Sequence, residues 1–130
     1  MEAQLIYNAV ECLSCGDILE SYHRHDYKTC NCSNKTNVDG GYDYLSYGGK
    51  DMSLIKSIPL YSNASHEQIR EKVKRGGRGI DGRQPLKYVL LKDVDDEWLQ
   101  AIIKYEEERL PSNRFLPIYK NEQLWRQGTH

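Results

Sequence analysis

Four cysteines stand at positions 12, 15, 30 and 32, and the chain has no others. They constrain what its front part can fold into more than any other feature. Cys12-Leu13-Ser14-Cys15 and Cys30-Asn31-Cys32 are close pairs separated by fourteen residues. Two thiolates on one tight turn can face a single cation, and a second close pair supplies the other two corners of a tetrahedron, as a structural zinc site requires. Gly16 follows the first pair, where a residue tolerant of positive φ lets backbone N–H groups turn toward the sulfurs. The spacing predicts a zinc ribbon with a knuckle at Cys12 and Cys15, a hairpin through Ile18 to Tyr27, and a second knuckle at Cys30 and Cys32. Two disulfides are the competing reading, with a redox role or unligated thiols behind it. Against disulfides, Met1-Glu2-Ala3-Gln4 has neither the basic region nor the apolar run of a secretory signal. A reducing cytoplasm that keeps the thiols available to metal is therefore expected.

A metal staple suits a chain that is poor in core-forming residues. Hydrophobic residues make up 38% of the 130 positions and charged residues 28%, too lean a mixture for a large dry core. Ten tyrosines stand against one phenylalanine. Tyrosine buries a ring while keeping its hydroxyl at a wet edge, which serves thin cores and ligand-facing surfaces alike. The net charge of −1 excludes a polyanion-binding signature for the whole chain, but the distribution is uneven. Residues 70–87 hold seven bases and two acids, while 1–60 hold five and eight and 88–130 hold six and eight. No apolar run approaches the length of a membrane span.

Leu5 to Val10 and Ile18 to Tyr22 have the β-branched and aromatic content of strands, with His23-Arg24-His25-Asp26 crossing the tip or return between them and the second knuckle. A polar, turn-rich stretch follows at residues 33–37, then Val38-Asp39-Gly40-Gly41-Tyr42-Asp43-Tyr44-Leu45. Beyond Gly48-Gly49 the composition changes, and residues 49–64 read as a connector with some packing. Ser65-His66-Glu67-Gln68 fits a capping box that opens a helix to about Arg75, ended by Gly76-Gly77. Residues 78–85 form a basic, glycine-rich loop, and Leu86 to Leu91 a strand or extended segment. Asp95 caps a helix to about Arg109, with Trp98, Leu99, Ile102, Ile103, Tyr105 and Leu110 on one apolar face. After Pro111, Ser112 is expected to cap a last helix to about Arg126, and the two helices to pack as an antiparallel hairpin. The fold class that follows is α+β: a zinc-ribbon-like domain over residues 1–48, the connector, and a three-helix part over 65–130.

The run Asn8-Ala9-Val10-x-Cys12-x-x-Cys15-Gly16-Asp17, with Arg24-His25-Asp26, Cys30-x-Cys32 and Val38-Asp39-Gly40-Gly41-x-Asp43-Tyr44, resembles a family of small zinc-ribbon-like proteins found largely in bacteriophage and firmicute genomes. The resemblance spans residues 8–48. It departs at Ser33, where the family tends to place glycine after the last cysteine. Gly79-x-Asp81-Gly82-x-Gln84-Pro85-Leu86-Lys87, followed by Asp95-Asp96-x-Trp98-Leu99, also resembles the C-terminal part of hypothetical phage proteins. What the resemblance implies is a phage accessory protein with a metal-stapled domain, working in the host cytoplasm.

Three further sets of residues are candidates for chemistry or binding. On an extended chain His23 and His25 share one side and could bind a second metal, or Asp26 could steer His25 for acid–base work as in a small metalloenzyme. Alternatively, His25 and Asp26 hold the hairpin by hydrogen bonds. Asp39-Gly40-Gly41 with its flanking tyrosines is either a ligand-facing loop or a plain turn, and the turn is the expectation. The best binding surface is the basic loop, where Arg75, Arg78, Arg83 and Lys87 combine guanidinium forks with glycine N–H groups in a pattern suited to phosphate. The function expected is non-enzymatic binding of a host protein or nucleotide ligand, with host antiviral defence as the process countered. Nucleic-acid binding by a zinc ribbon is the first alternative and the metalloenzyme the second.

Overall fold

β1 (Leu5–Cys12) is buried at six successive positions, Leu5 to Val10, where a strand with one wet face would alternate. The reason lies in its neighbours. In the computed structural model, which describes residues 3–79 and 81–128, β1 pairs antiparallel with β2 (Ile18–Ser21), β6 (Ile55–Ser57) and β7 (Leu60–Tyr61). A second sheet, β3 (Lys28–Thr29), β4 (Asn37–Asp39) and β5 (Ser46–Gly48), is antiparallel in that order. These elements form one unit, residues 1–63, and residues 64–130 form another.

Two expectations about the first unit change. The hairpin does not run through Ile18 to Tyr27, because the ladder partner of β2 is β1 across the Cys12–Asp17 turn, with Val10 opposite Leu19 and Glu11 opposite Ile18. The first knuckle is itself the hairpin turn, closed by the Cys12 N–H donating to the Asp17 carbonyl at 2.8 Å. Residues 49–64 are likewise more than a connector, since β6 and β7 complete the sheet around β1. Asp39-Gly40-Gly41 is a turn with a structural use. The Asn8 side chain, 2% exposed, donates from Nδ2 to the carbonyls of Asp39, Gly41 and Tyr44 at 3.1, 2.8 and 3.2 Å. Gly41 adopts φ 52°, and a Cβ there would fall inside the backbone of His23, so glycine alone fits.

In the second unit, α1 (His66–Lys72) opens as the capping box predicts, Ser65 Oγ accepting from the Gln68 N–H at 3.3 Å. It stops at Lys72, earlier than expected, because Val73 turns extended and is buried. Gly76-Gly77 is no helix end. It belongs to β8 (Lys74–Gly77), which pairs with β9 (Lys87–Leu90). The glycines are needed for room across the strand: a Cβ on Gly76 would lie 3.0 Å from the Tyr88 ring and one on Gly77 2.6 Å from Trp98.

α2 (Asp96–Arg109) is capped by Asp95 Oδ1, which accepts from the Trp98 N–H at 2.7 Å. α3 (Leu116–Arg126) starts four residues past the expected Ser112 cap, because Pro117 has no N–H and is tolerated only in a first helical turn. Arg126 of α3 meets Asp96 of α2 at 2.8 Å and Lys120 meets Glu107 at 3.0 Å, so the start of one helix faces the end of the other, as an antiparallel pair. Ile69, Val73, Leu91, Leu99, Ile102, Leu116 and Ile118 lie at the centre of this unit. The architecture is α+β, with antiparallel strands and three helices. Among the described residues no helix is long and apolar enough to cross a membrane.

Candidate metal centre

The four sulfurs converge. Their Sγ atoms all lie within 4.8 Å of one another, with Cys32 Sγ 3.6 Å from Cys12 and 3.2 Å from Cys30. A tetrahedral ion with Zn–S bonds of about 2.3 Å places its sulfurs about 3.8 Å apart, so the cage needs only small adjustments. None of the four is in a disulfide. Cys12 comes from the end of β1 and Cys15 from the turn into β2. Cys30 and Cys32 come from the turn between β3 and β4.

Each knuckle is built by backbone bonds. Gly16, at φ 82°, turns its N–H back to the Cys12 carbonyl at 2.7 Å. In the second knuckle that role falls to Lys35, at φ 52°, whose N–H donates to the Cys32 carbonyl at 3.1 Å. Positive φ at Lys35 explains how the turn forms with Ser33 after the last cysteine. Asn34, buried, then ties the knuckle to the chain beyond it, donating to Thr36 Oγ1 at 2.8 Å and accepting from the Asp51 N–H at 2.7 Å.

The electrostatics fit a cation. The Thr36 hydroxyl, helped by backbone N–H groups of Cys15 and Ser14, outweighs desolvation and holds Cys12 down to about 6. At Cys30 the Cys32 thiol and N–H more than offset desolvation and lower the thiol as well. Cys15 goes the other way. The Asp17 N–H favours its anion, yet desolvation and the three neighbouring thiols push it up to about 12. Four sulfurs this close cannot all carry negative charge unaided, and a divalent ion removes the conflict by ligating all four as thiolates. A set of four soft sulfur donors suits zinc or iron. Cys12 and Cys30 are buried while Cys15 is exposed, so one edge of the cage reaches the surface. Thr36 was not identifiable as part of the site from the sequence, because nothing in the spacing of a lone threonine marks it.

His23, His25 and Asp26 do not assemble into a site. Asp26 Oδ2 accepts from the Tyr22 N–H at 2.8 Å and pairs with Lys28 at 3.0 Å, while His25 is exposed at φ 65°. The Asp26 carboxyl is lowered, the Tyr22 N–H and Lys28 outweighing desolvation. Asp26 thus closes its loop, as the hydrogen-bonding alternative supposes. A different titratable group sits nearby: Glu20 accepts from the hydroxyls of Tyr7 and Tyr22, each at 2.6 Å. Burial and the Glu20 carboxylate raise both phenols.

The basic residues separate into two kinds. Arg75, expected at the binding surface, turns inward to Glu106 Oε1 and Tyr119 Oη, each at 3.3 Å. Arg70 similarly makes a two-pronged contact with Glu122 at 2.9 Å per bond, joined by His66 and Arg126. Glu106 and Glu122 are fully buried. Arg78, Arg83 and Lys87, in contrast, are exposed around the turn joining β8 to β9.

A family described as a domain of unknown function (DUF7695) matches residues 4–49, the part that holds all four cysteines. A protein of Methanocaldococcus jannaschii named "Putative lyase MJ0807" is 26% identical over 91 residues, a match covering 54% of this chain and 49% of the relative. The chain thus spans about half the length of that curated relative. No solved structure matches the chain.

Proposed function

We propose that this is a non-enzymatic binding protein whose first unit is stapled by one structural zinc ion, and that it is a phage accessory protein that acts by occupying a host molecule, antiviral defence being the process it counters. The observation that carries the reading is the closed four-sulfur cage. With Cys12, Cys15, Cys30 and Cys32 all ligating, a tetrahedral ion keeps no position for water or substrate, and its contribution is to folding. Zinc is favoured over iron because such a role needs no redox change. The phage and anti-defence elements rest on the resemblance of residues 8–48.

The relative's name suggests lyase chemistry, which needs a base. The match covers only about half of each chain, and both carboxylate oxygens of Glu20 are already occupied by the Tyr7 and Tyr22 hydroxyls at 2.6 Å. The name is therefore not carried over to this chain. Elemental analysis of protein purified under reducing conditions tests the metal reading. One zinc per chain and a colourless solution are expected. A visible sulfur-to-iron absorption band would replace zinc by iron, and an intact circular dichroism spectrum without any metal would overturn the staple.

A further inference from the structure

Seven bases fall between residues 70 and 87, and the structure divides their work. Arg70 and Arg75 are spent on the buried carboxylates Glu122 and Glu106. Those two pairs hold the second unit together. Arg78, Arg83 and Lys87 lie instead around the β8–β9 turn, where every described residue from Arg78 to Lys87 is exposed. The turn is shaped by its own bonds: the Gln84 N–H donates to the Arg78 carbonyl at 2.9 Å and the Gly82 N–H to the Gly79 carbonyl at 3.1 Å. Gly79 and Gly82 take positive φ, at 80° and 71°. The acid of the turn, Asp81, is turned onto the Arg83 N–H at 3.0 Å, within the loop itself.

The register extends this surface. Gly77 faces Lys87 and Gly76 faces Tyr88, so Lys87 closes the ladder at its outer end beside the turn. Residues Arg75, Gly77, Lys87 and Val89 share one face of the ribbon, and that face carries the contacts to Glu106 and Trp98. Lys74, Gly76, Tyr88 and Leu90 share the other. There the Tyr88 ring lies against Gly76, next to the half-exposed Leu86. The arm therefore offers cations at its tip, with an aromatic ring and an apolar side chain on the face turned away from Trp98. Three exposed cations around one turn give a polyanion several contacts at once, which suits a chain of phosphates better than a single one. The Tyr88 ring, on the ribbon face opposite Lys87, offers a surface suited to an unstacked base.

From this placement we infer that the β8–β9 arm binds single-stranded nucleic acid, with Arg78, Arg83 and Lys87 on successive phosphates and Tyr88 against a base. The inference rests on the binding-protein reading and names the class of molecule occupied. Three phosphate contacts on a single strand give a log–log salt slope of about −2, or roughly a 20-fold loss of affinity between 50 and 200 mM salt.

The test is fluorescence anisotropy with labelled 20-nucleotide single-stranded DNA and RNA and the matching duplex, using the zinc-loaded full chain. Expected is tighter binding to single strands, the stated slope, and its near loss in R78A/R83A/K87A. Tyr88→Leu should weaken single-strand binding about 10-fold with the slope unchanged. Equal binding by the triple variant would overturn the arm as the site. Stronger duplex binding with a slope near −2.7 would overturn the single-strand assignment. Absence of binding at 50 mM salt, with zinc and circular dichroism normal, would overturn the nucleic-acid inference while leaving a protein partner for the proposed function. Thermal unfolding of each variant separates lost contacts from lost folding.

Discussion

Replacing Gly77 by alanine separates the strand described here from the helix that the sequence suggests. Were Gly76-Gly77 instead the C-terminal stop of a helix, alanine in left-handed φ there would cost about 1–2 kcal/mol and leave the Trp98 emission unchanged. In the structure Gly77 lies in β8, and a Cβ there would sit 2.6 Å from Trp98 Cζ2 and 3.0 Å from Cη2. Ordinary carbon contacts need about 3.5 Å or more, so the indole must retreat by close to an ångström or β8 must bend away from α2. Strain of that kind typically costs about 1–3 kcal/mol. For a unit of this size, a loss of 2 kcal/mol lowers Tm by roughly 8–16 °C. Both tryptophans, Trp98 and Trp125, are in the second unit, so intrinsic fluorescence follows its unfolding specifically. The expected outcome is a lower Tm with a shifted Trp98 emission in Gly77→Ala. A variant as stable as the parent, or more so, would refute the close approach and with it the β8–β9 arm.

Acid should weaken the second unit through Glu122. Burial alone would raise its carboxyl, but Arg70, Arg126 and His66 hold it down to about 2. A carboxyl depressed in the folded state contributes stability that is present above its ordinary value near 4.5 and is lost as pH falls toward 2, here about 3 kcal/mol. Tryptophan-detected melting between pH 6 and 2.5 should show that loss, and Glu122→Gln should remove most of this pH dependence while costing about 3–5 kcal/mol at neutral pH. Asn8→Ala strips three carbonyls, that of Gly41 buried and those of Asp39 and Tyr44 part-buried, of a side-chain donor and should cost roughly 1–3 kcal/mol, read by chemical denaturation of the first unit followed by circular dichroism. Cys12→Ser should leave less than one zinc per chain after gel filtration against a chelator, whereas Ser14→Ala should keep the full equivalent.

The metal cage was legible because it depends on one residue type at short spacing, and ligation draws the pairs together whatever the intervening chain does. Which strands the cage joins was not legible. Ile18 to Ser21 reads as a strand from its own residues, but its partner is set by the turn at Cys12–Asp17, and a knuckle doubling as a hairpin turn leaves no separate signal. The helix through Arg75 failed for a related reason. Lys72, Lys74 and Arg75 are good helix formers and a glycine pair resembles a C-cap, whereas the pairing that overrides them comes from residues 87–90. Pro117 did carry a usable signal, since a proline five positions into a helix begun at Ser112 would remove an interior bond.

Arg75 shows how burial redistributes charge that the sequence presents as one block. Glu106 and Glu122 are both fully buried and draw Arg70, Arg75 and Arg126 inward. A buried carboxylate without a cation is costly, so these arginines are committed to the fold and cannot be counted toward a partner. A metal ion held by the four cysteines would redistribute charge in the opposite sense. Residues 1–63 hold eight acids and five bases, and four thiolates on a divalent ion add two negative charges more. Residues 64–130 hold thirteen bases and eleven acids. A zinc-loaded chain of nearly balanced composition would therefore have an acidic first unit, which repels phosphates, and a second unit with three of its exposed cations, Arg78, Arg83 and Lys87, on one arm. Polyanion affinity should accordingly fall when Arg78, Arg83 and Lys87 are neutralised, and rise when exposed acids of the first unit such as Asp17 or Asp43 are replaced by their amides, most clearly at low salt where the field reaches furthest.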